Sequence, residues 1–227
     1  MRDEIGQGPL RGWLTFAPFQ SAIAVVAIIV LGILMIGERS ERRLRDLAMN
    51  DQLTGILNRR GFFEASADRL AQLSGKSCEI AIALFDIDFF KAINDKYGHP
   101  AGDQVIAKFA ERAAGIIRES DILARIGGEE FALLLPDATI NDARLVVDRI
   151  RAAFGDAPIL HDNVEITATA SAGISISHVR GAVLDRLMSA ADSALYAAKK
   201  AGRNRTSILH AVAQAERDTA PIVRTSS

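Results

Sequence analysis

A single cysteine, Cys78, is the only thiol in this 227-residue chain, so no internal disulfide can form. That suits a reducing compartment and leaves Cys78 as a small, half-buried packing residue. There is no surplus of charge of either sign: 27 Lys and Arg stand against 28 Asp and Glu, a net charge of -1. A general attraction to nucleic acid is thereby excluded, and only a local basic patch can act on an anion. No internal repeat is visible, which removes solenoid and propeller architectures. Charge is missing altogether from Gly12 to Gly37. Within that stretch Phe19 to Ile36 is almost wholly apolar, long enough to cross ~30 Å of hydrocarbon as a helix.

Trp13 and Phe16 sit where interfacial aromatics lie. A core helix apolar on every face is unusual in a small domain. A cleaved signal peptide would end in a small-residue site, whereas this run continues into Glu38, Arg39, Glu41, Arg42, Arg43 and Arg45. The expectation is one transmembrane helix over residues 13–37, after a short segment at 1–12 that is too brief for an external sensor domain. Arg2 and Arg11 precede the span beside Asp3 and Glu4, while four arginines follow it, so the C-terminal side is expected in the cytoplasm. Residues 38–50 read as a charged juxtamembrane helix with a thin apolar stripe of Leu44, Leu47 and Ala48, suited to a short two-chain coil.

The full chain is 49% hydrophobic, and the remaining residues are ample for one sizeable core over residues 51–210. Helical spacing runs over Gly61–Leu73, Asp103–Ile117, Asn141–Phe154 and Leu184–Ala201, the last stopped by Gly202. Glu79–Phe85 reads as a buried strand ending at Asp86. Ile122–Ile126 and Phe131–Leu135 read as two strands joined across Gly127-Gly128. Ile166–Ser177 alternates apolar with small polar residues as a two-faced strand, and Thr206–Leu209 as a last one. The tail 211–227 is expected to be loose. This order predicts an α+β fold of split-βαβ style, a mostly antiparallel sheet covered by flanking helices.

Asp86 and Asp88 follow the buried strand, and strand-end carboxylates can hold a hard cation with little entropy loss. Taken alone, such a pair also simply begins a turn. In Gly127-Gly128-Glu129-Glu130 the glycines leave backbone open to a ligand, and the adjacent acids repel unless a cation is near. An exposed acidic turn is the plain alternative. Facing Asp86, this turn makes a Mg²⁺ site of the kind that handles nucleotide phosphates. Lys91 lies within reach to neutralise phosphate charge. Asn94 and Asp103 offer an amide and a carboxylate, which match the N1–H and 2-amino donors of guanine and not adenine. Lys199 and Arg203, four apart at the end of a helix, share a face that can grip a triphosphate or merely be solvated.

Together these strings resemble the GGDEF-domain family of diguanylate cyclases. The resemblance starts at Asp51-Gln-Leu-Thr-Gly-Ile-Leu-Asn-Arg-Arg60 and continues through the Asp86–Asp103 run. It passes Gly127-Gly-Glu-Glu-Phe131 and closes at Tyr196-Ala-Ala-Lys199-Lys-Ala-Gly-Arg203-Asn-Arg. It implies a nucleotidyl-cyclase, palm-like domain at the cytoplasmic face of a single-pass protein of the bacterial inner membrane. Each subunit of a homodimer would bind one GTP and attack the other's α-phosphate, giving cyclic di-GMP. By position, Asp86, the Ile87 carbonyl and Glu129 correspond to ligands of Mg²⁺ (or Mn²⁺), with Glu130 assisting. Glu129 corresponds also to the base and Lys91 to the transition-state stabiliser. Asn94 and Asp103 would read guanine with His99 nearby, and Lys199 and Arg203 would hold phosphates. Phe89 stands where the family often has His or Tyr, and Pro100 stiffens the loop after His99.

Arg118-Glu-Ser-Asp121, separated from Gly127 by five residues, resembles the family's RxxD site, which binds the product as an inhibitor. Arg149 on the next helix is a candidate secondary contact. Two other functions compete: a silent receptor that only binds cyclic di-GMP, and a different nucleotide cyclase on a similar fold. The first would be expected to lose the signature acids or the lysine, and the second suits Asn94 and Asp103 poorly. No sensor is recognisable.

Overall fold

The structure is a computed structural model that describes residues 49–179 and 184–210. The expected membrane span 13–37, nearly all of the linker 38–50 and the tail 211–227 lie outside the described residues. Among the described residues, no helix is long and apolar enough to cross a membrane.

The element order is β1 (Leu57–Asn58), α1 (Arg59–Leu73), β2 (Glu79–Ile87), α2 (Phe90–Tyr97), α3 (His99–Ala114), β3 (Ile122–Arg125), β4 (Glu130–Pro136), α4 (Ile140–Gly155), β5 (Ile159–His161), β6 (Val164–Ile166), β7 (Ala170–His178), α5 (Leu184–Lys200) and β8 (Thr206–His210). A six-stranded sheet runs β1-β3-β4-β2-β7-β8, and β5 with β6 forms a separate hairpin. The inner pairings β3–β4, β4–β2 and β2–β7 are antiparallel, and the outer pairings β1–β3 and β7–β8 are parallel. The α+β expectation with a mostly antiparallel sheet therefore holds.

Strand β2 lies at the centre, and its alternation of faces explains the layers. Ala81, Ala83, Phe85 and Ile87 face a core shared with Val105 and Phe109 of α3 and Val147, Ile150 and Phe154 of α4. Ile80, Ile82 and Leu84 face the opposite core, with Phe62 of α1 and Leu187, Ala191 and Leu195 of α5. Phe109 is the hub of the first core, with ring centroids 4.4 Å from Phe131, 5.1 Å from Phe154 and 5.5 Å from Phe85. Truncating such a residue to Ala costs about 3–5 kcal/mol. On the other side α5 lies directly on β7. A Cβ on Gly173 would collide with the backbone of Ala191 and Leu195, so glycine there sets how close α5 comes. That approach fixes where Lys199 ends up.

Several boundaries differ from the sequence expectation. The helix expected from Asp103 begins at His99, because Pro100 occupies its first turn, where a missing N–H costs nothing. It ends at Ala114 rather than Ile117. The sequence pattern predicts no element over the short helix α2, which has one buried residue, Ile93, too little for a visible apolar stripe. The expected strand Ile166–Ser177 is two elements: Ile166 belongs to β6, and β7 starts at Ala170. Glu130 is not at the hairpin tip but is the first residue of β4.

Candidate active site

The C-terminal end of β2 meets the start of β4. Asp86 is opposite Glu130 on one side and Ser171 on the other. The Ile87 N–H donates to the Glu129 carbonyl at 3.3 Å. The backbone thereby sets the strand-end acid beside both acids of the glycine turn. Burial pushes the Asp86 carboxyl above the usual carboxylate range. Lys199 opposes the shift, while the charges of Glu129 and Glu130 add to it. The Lys199 ammonium lies 2.7 Å from Asp86, reaching down from the last turn of α5.

The two glycines of the turn play different parts. A Cβ on Gly127 would strike the Glu130 carboxylate, which folds back over the turn. A Cβ on Gly128 would meet nothing within 4 Å, so the fold itself does not demand glycine there. Open backbone beside two acids is what the approach of a ligand requires. The turn is held by a residue the sequence reading passed over. Arg125, the last residue of β3, donates from Nε and Nη2 to the Gly128 carbonyl at 3.0 and 2.7 Å. Its Nη1 donates to both Asp51 oxygens at 3.1 Å. Asp51 also accepts from the Thr54 N–H at 3.0 Å and hydroxyl at 2.8 Å. Burial works to raise the Asp51 pKa, but these bonds and the Arg125 charge outweigh it and hold the pKa below the usual range. An arginine closing an apolar strand just before a glycine turn was the available signal.

Asp88, the second strand-end acid, is not part of this acidic group. It accepts from Thr169 Oγ1 at 2.7 Å, Ser171 Oγ at 2.6 Å and the Asn204 N–H at 3.0 Å. It is a buried anchor that ties β7 and the 202–204 turn to the end of β2. Beyond it, Phe89 adopts a left-handed conformation (φ 56°) and begins α2 without a side-chain cap. The first N–H groups of α2 are thus left to other acceptors, which is the arrangement that takes phosphate. Lys91 is exposed in this first turn.

Asn94 of α2 is packed against α3. A Cβ on Gly102 would run into Asn94 Oδ1, and that oxygen is buried without a hydrogen-bond partner. Asp103 follows Gly102 and is exposed, as is His99 at the head of α3. The expected guanine readers are therefore adjacent through one helix–helix approach. Arg203 is not on a helix face with Lys199. Helix α5 stops at Lys200, and Gly202, Arg203 and Asn204 follow with φ of 112°, 62° and 43°. Three left-handed residues reverse the chain, and Arg203 reaches the site from that turn.

Arg118 and Asp121 lie apart from these groups. The Arg118 N–H donates to Asp121 Oδ2 at 2.9 Å, and both residues line a surface depression with Pro136, Ala138, Asp142 and Val146. Arg149 is exposed on α4 but does not line it.

Asp86, Glu129 and a main-chain carbonyl are hard oxygen donors of the type Mg²⁺ prefers, and the mutual repulsion at Asp86 favours a cation. Among the described residues, no three His, Cys, Asp or Glu side chains stand together as a ready metal cage.

Comparison with known proteins places these features in context. A family model for the diguanylate cyclase GGDEF domain matches residues 48–205. The response regulator PleD of Caulobacter vibrioides is 40% identical over 164 residues, 70% of this chain and 36% of that protein. The diguanylate cyclase DgcP of Pseudomonas aeruginosa is 38% identical over 167 residues, 72% of this chain and 24% of that protein. A crystal structure of the coiled coil and GGDEF domain of DgcB from Caulobacter crescentus, in complex with c-di-GMP, is similar with a TM-score of 0.76. The identity is 29%, covering 83% of this chain and 100% of that one. The chain spans well under half the length of the curated relatives it matches.

Proposed function

This chain belongs to the diguanylate cyclase GGDEF-domain family, and from that premise we propose that it condenses two GTP into cyclic di-GMP. The observation that carries the reading is the register of β2 against β4, which sets Asp86 opposite Glu130 and bonds Ile87 to Glu129. In the proposed reaction the 3′-hydroxyl of each GTP attacks the α-phosphorus of the other. Each attack forms one P–O bond and breaks the bond to pyrophosphate, which leaves. Phosphoryl transfer of this kind depends on positioning and charge neutralisation more than on covalent help.

Asp86, the Ile87 carbonyl and Glu129 would hold Mg²⁺ or Mn²⁺, with Glu130 assisting. When bound, the ion supplies neutralisation of phosphate charge. Glu129 takes the proton of the 3′-hydroxyl. Lys91 offsets charge on the transferring phosphoryl group. Asn94 offers its side-chain amide to guanine, and Asp103 presents a carboxylate to the N1–H and 2-amino donors, with His99 at the edge of the pocket. Lys199 and Arg203 grip the triphosphate, so Lys199 must exchange Asp86 for phosphate when nucleotide and metal arrive.

One site holds half of the reaction, so the active form is a homodimer. The apolar run at 13–37 anchors the chain in the inner membrane with the catalytic domain in the cytoplasm, and the 38–50 segment brings two copies together. Product returns to the Arg118–Asp121 depression as an inhibitor, with Arg149 as a secondary contact. The arginine fork suits phosphate, and Asp121 suits guanine donors.

Product analysis of the purified full chain tests this reading. Incubated with GTP and Mg²⁺, the wild type should yield cyclic di-GMP and pyrophosphate, and Glu129→Ala should yield neither. Arg118→Ala should stay active when product accumulates. A wild type that binds cyclic di-GMP but forms none would instead be a receptor. Turnover of ATP above that of GTP would replace the guanine assignment.

A further inference from the structure

Phe89 is an unusual residue for its place. It is a large aromatic, 65% exposed, at the mouth of the site. Its backbone is left-handed at φ 56°, a conformation that bulky residues rarely adopt. Both features work against stability, and the core makes no use of the ring. Among the described residues, its one marked contact is with Arg203, whose guanidinium carbon lies 4.6 Å from the ring centroid. Arg203 is itself left-handed, at φ 62°. Sparsely populated backbone states gathered at one site mark places where position matters more than stability.

The two residues are brought together by their neighbours. Asp88, just before Phe89, accepts from the N–H of Asn204, just after Arg203. Arg151 Nη2 holds the Asn204 side chain at 2.7 Å, and the Arg205 carbonyl accepts from Ala172 N–H at 2.9 Å. The backbone of the 202–204 turn is thereby fixed to the sheet. These bonds leave the long Arg203 side chain free to rotate, and the Phe89 face is what restrains it.

We propose that Phe89 is a positioning residue for nucleotide binding: its ring holds the Arg203 guanidinium flat, with its N–H edge turned toward the triphosphate. This rests on the reading of Arg203 as a phosphate grip. An arginine already ordered loses less freedom on binding. An aromatic platform leaves all five guanidinium donors unused, whereas a carboxylate partner would occupy them.

The test compares the full-length wild type with Phe89→Leu, Phe89→Tyr, Phe89→Asn, Arg203→Ala and the double variant Phe89→Leu/Arg203→Ala. It measures KM and kcat for GTP, calorimetric affinity for a non-hydrolysable GTP analogue with Mg²⁺, and the melting temperature. Removing an exposed cation–π contact should raise KM and the analogue's Kd by about two- to fivefold, with kcat within about twofold. Phe89→Tyr keeps a ring and should bind like the wild type. Phe89→Asn suits φ above zero and should melt no lower than the wild type while still binding weakly. In the Arg203→Ala background, Phe89→Leu should add nothing.

An equal loss in that background would overturn the platform role while leaving Arg203 as the grip. A fall of melting temperature in Phe89→Asn large enough to account for the weaker binding would also overturn it. Arg203→Ala binding the analogue like the wild type would instead remove the phosphate-grip reading, and the platform role with it.

Discussion

Asp86 and Asp88 lie two residues apart at the end of β2, 8% and 3% exposed, in different surroundings. Asp88 accepts three hydrogen bonds, from two hydroxyls and one backbone N–H. Asp86 has one cationic partner, Lys199, and two acids close enough to raise its pKa. A buried carboxylate with donors on both oxygens is an anchor, because most of the hydrogen bonds it lost from water are replaced. One left short of donors and facing like charge is held in a costly state, which a bound cation would relieve. Burial alone does not separate the two; the partners do.

Asp88→Ala should break the anchor with the largest effect. Two hydroxyls and an N–H would lose a charged acceptor, at a cost of about 4 kcal/mol. In a domain of this size that lowers the melting temperature by about 8–16 °C in a thermal scan. Asp86→Asn should do the opposite. Cyclase activity should fall by at least about 10²-fold, while the melting temperature stays or rises, because a strained charge is removed. A large stability loss in Asp86→Asn, or a stable Asp88→Ala, would erase the contrast.

Gly102→Ala sharpens the picture on the guanine side. Its methyl must displace Asn94 Oδ1, so KM for GTP should rise by about tenfold, with ATP still excluded by Asp103. Smaller still, Ser171→Ala removes one of three donors from Asp88 and should cost about 1 kcal/mol in denaturant unfolding.

The pH dependence of stability gives the smallest and most specific signal. The folded-state pKa of Asp86 is raised, so the folded chain holds its proton more tightly than the unfolded chain. Its contribution is full below the unfolded pKa, about 4, and is lost as pH rises through the folded value. Asp51 has the reverse sign: its depressed pKa gives stability that is present above the unfolded pKa and lost as pH falls through the folded one. Asp86→Asn should remove the loss seen on raising pH, and Arg125→Ala should weaken the loss seen on lowering it. Urea titrations across pH 3–7, about the carboxylate range, read both.

Much of this was legible in the chain itself. The buried strand Glu79–Phe85 follows from a short apolar run, the hairpin across Gly127-Gly128 from a glycine pair between two such runs, and the helix from Leu184 from helical spacing. The candidate site was read from four strings in order, through their resemblance to the family. Helix α2 and the β5–β6 hairpin escaped because each buries too little to leave a pattern. Arg125 and the anchoring role of Asp88 escaped because their partners, Asp51, Thr169, Ser171 and Asn204, are remote in sequence.

By itself, then, the sequence determined most of the longer elements and the family. Local spacing and short motif strings encode these. Only the tertiary structure decided which strand-end acid is an anchor and which is set against Glu129 and Glu130. Only it brought Arg203 onto Phe89 through a turn instead of a helix face. Hydrogen-bond partners and backbone sign at such points are settled by where β7, α5 and the 202–204 turn pack, and packing is a property of the whole chain.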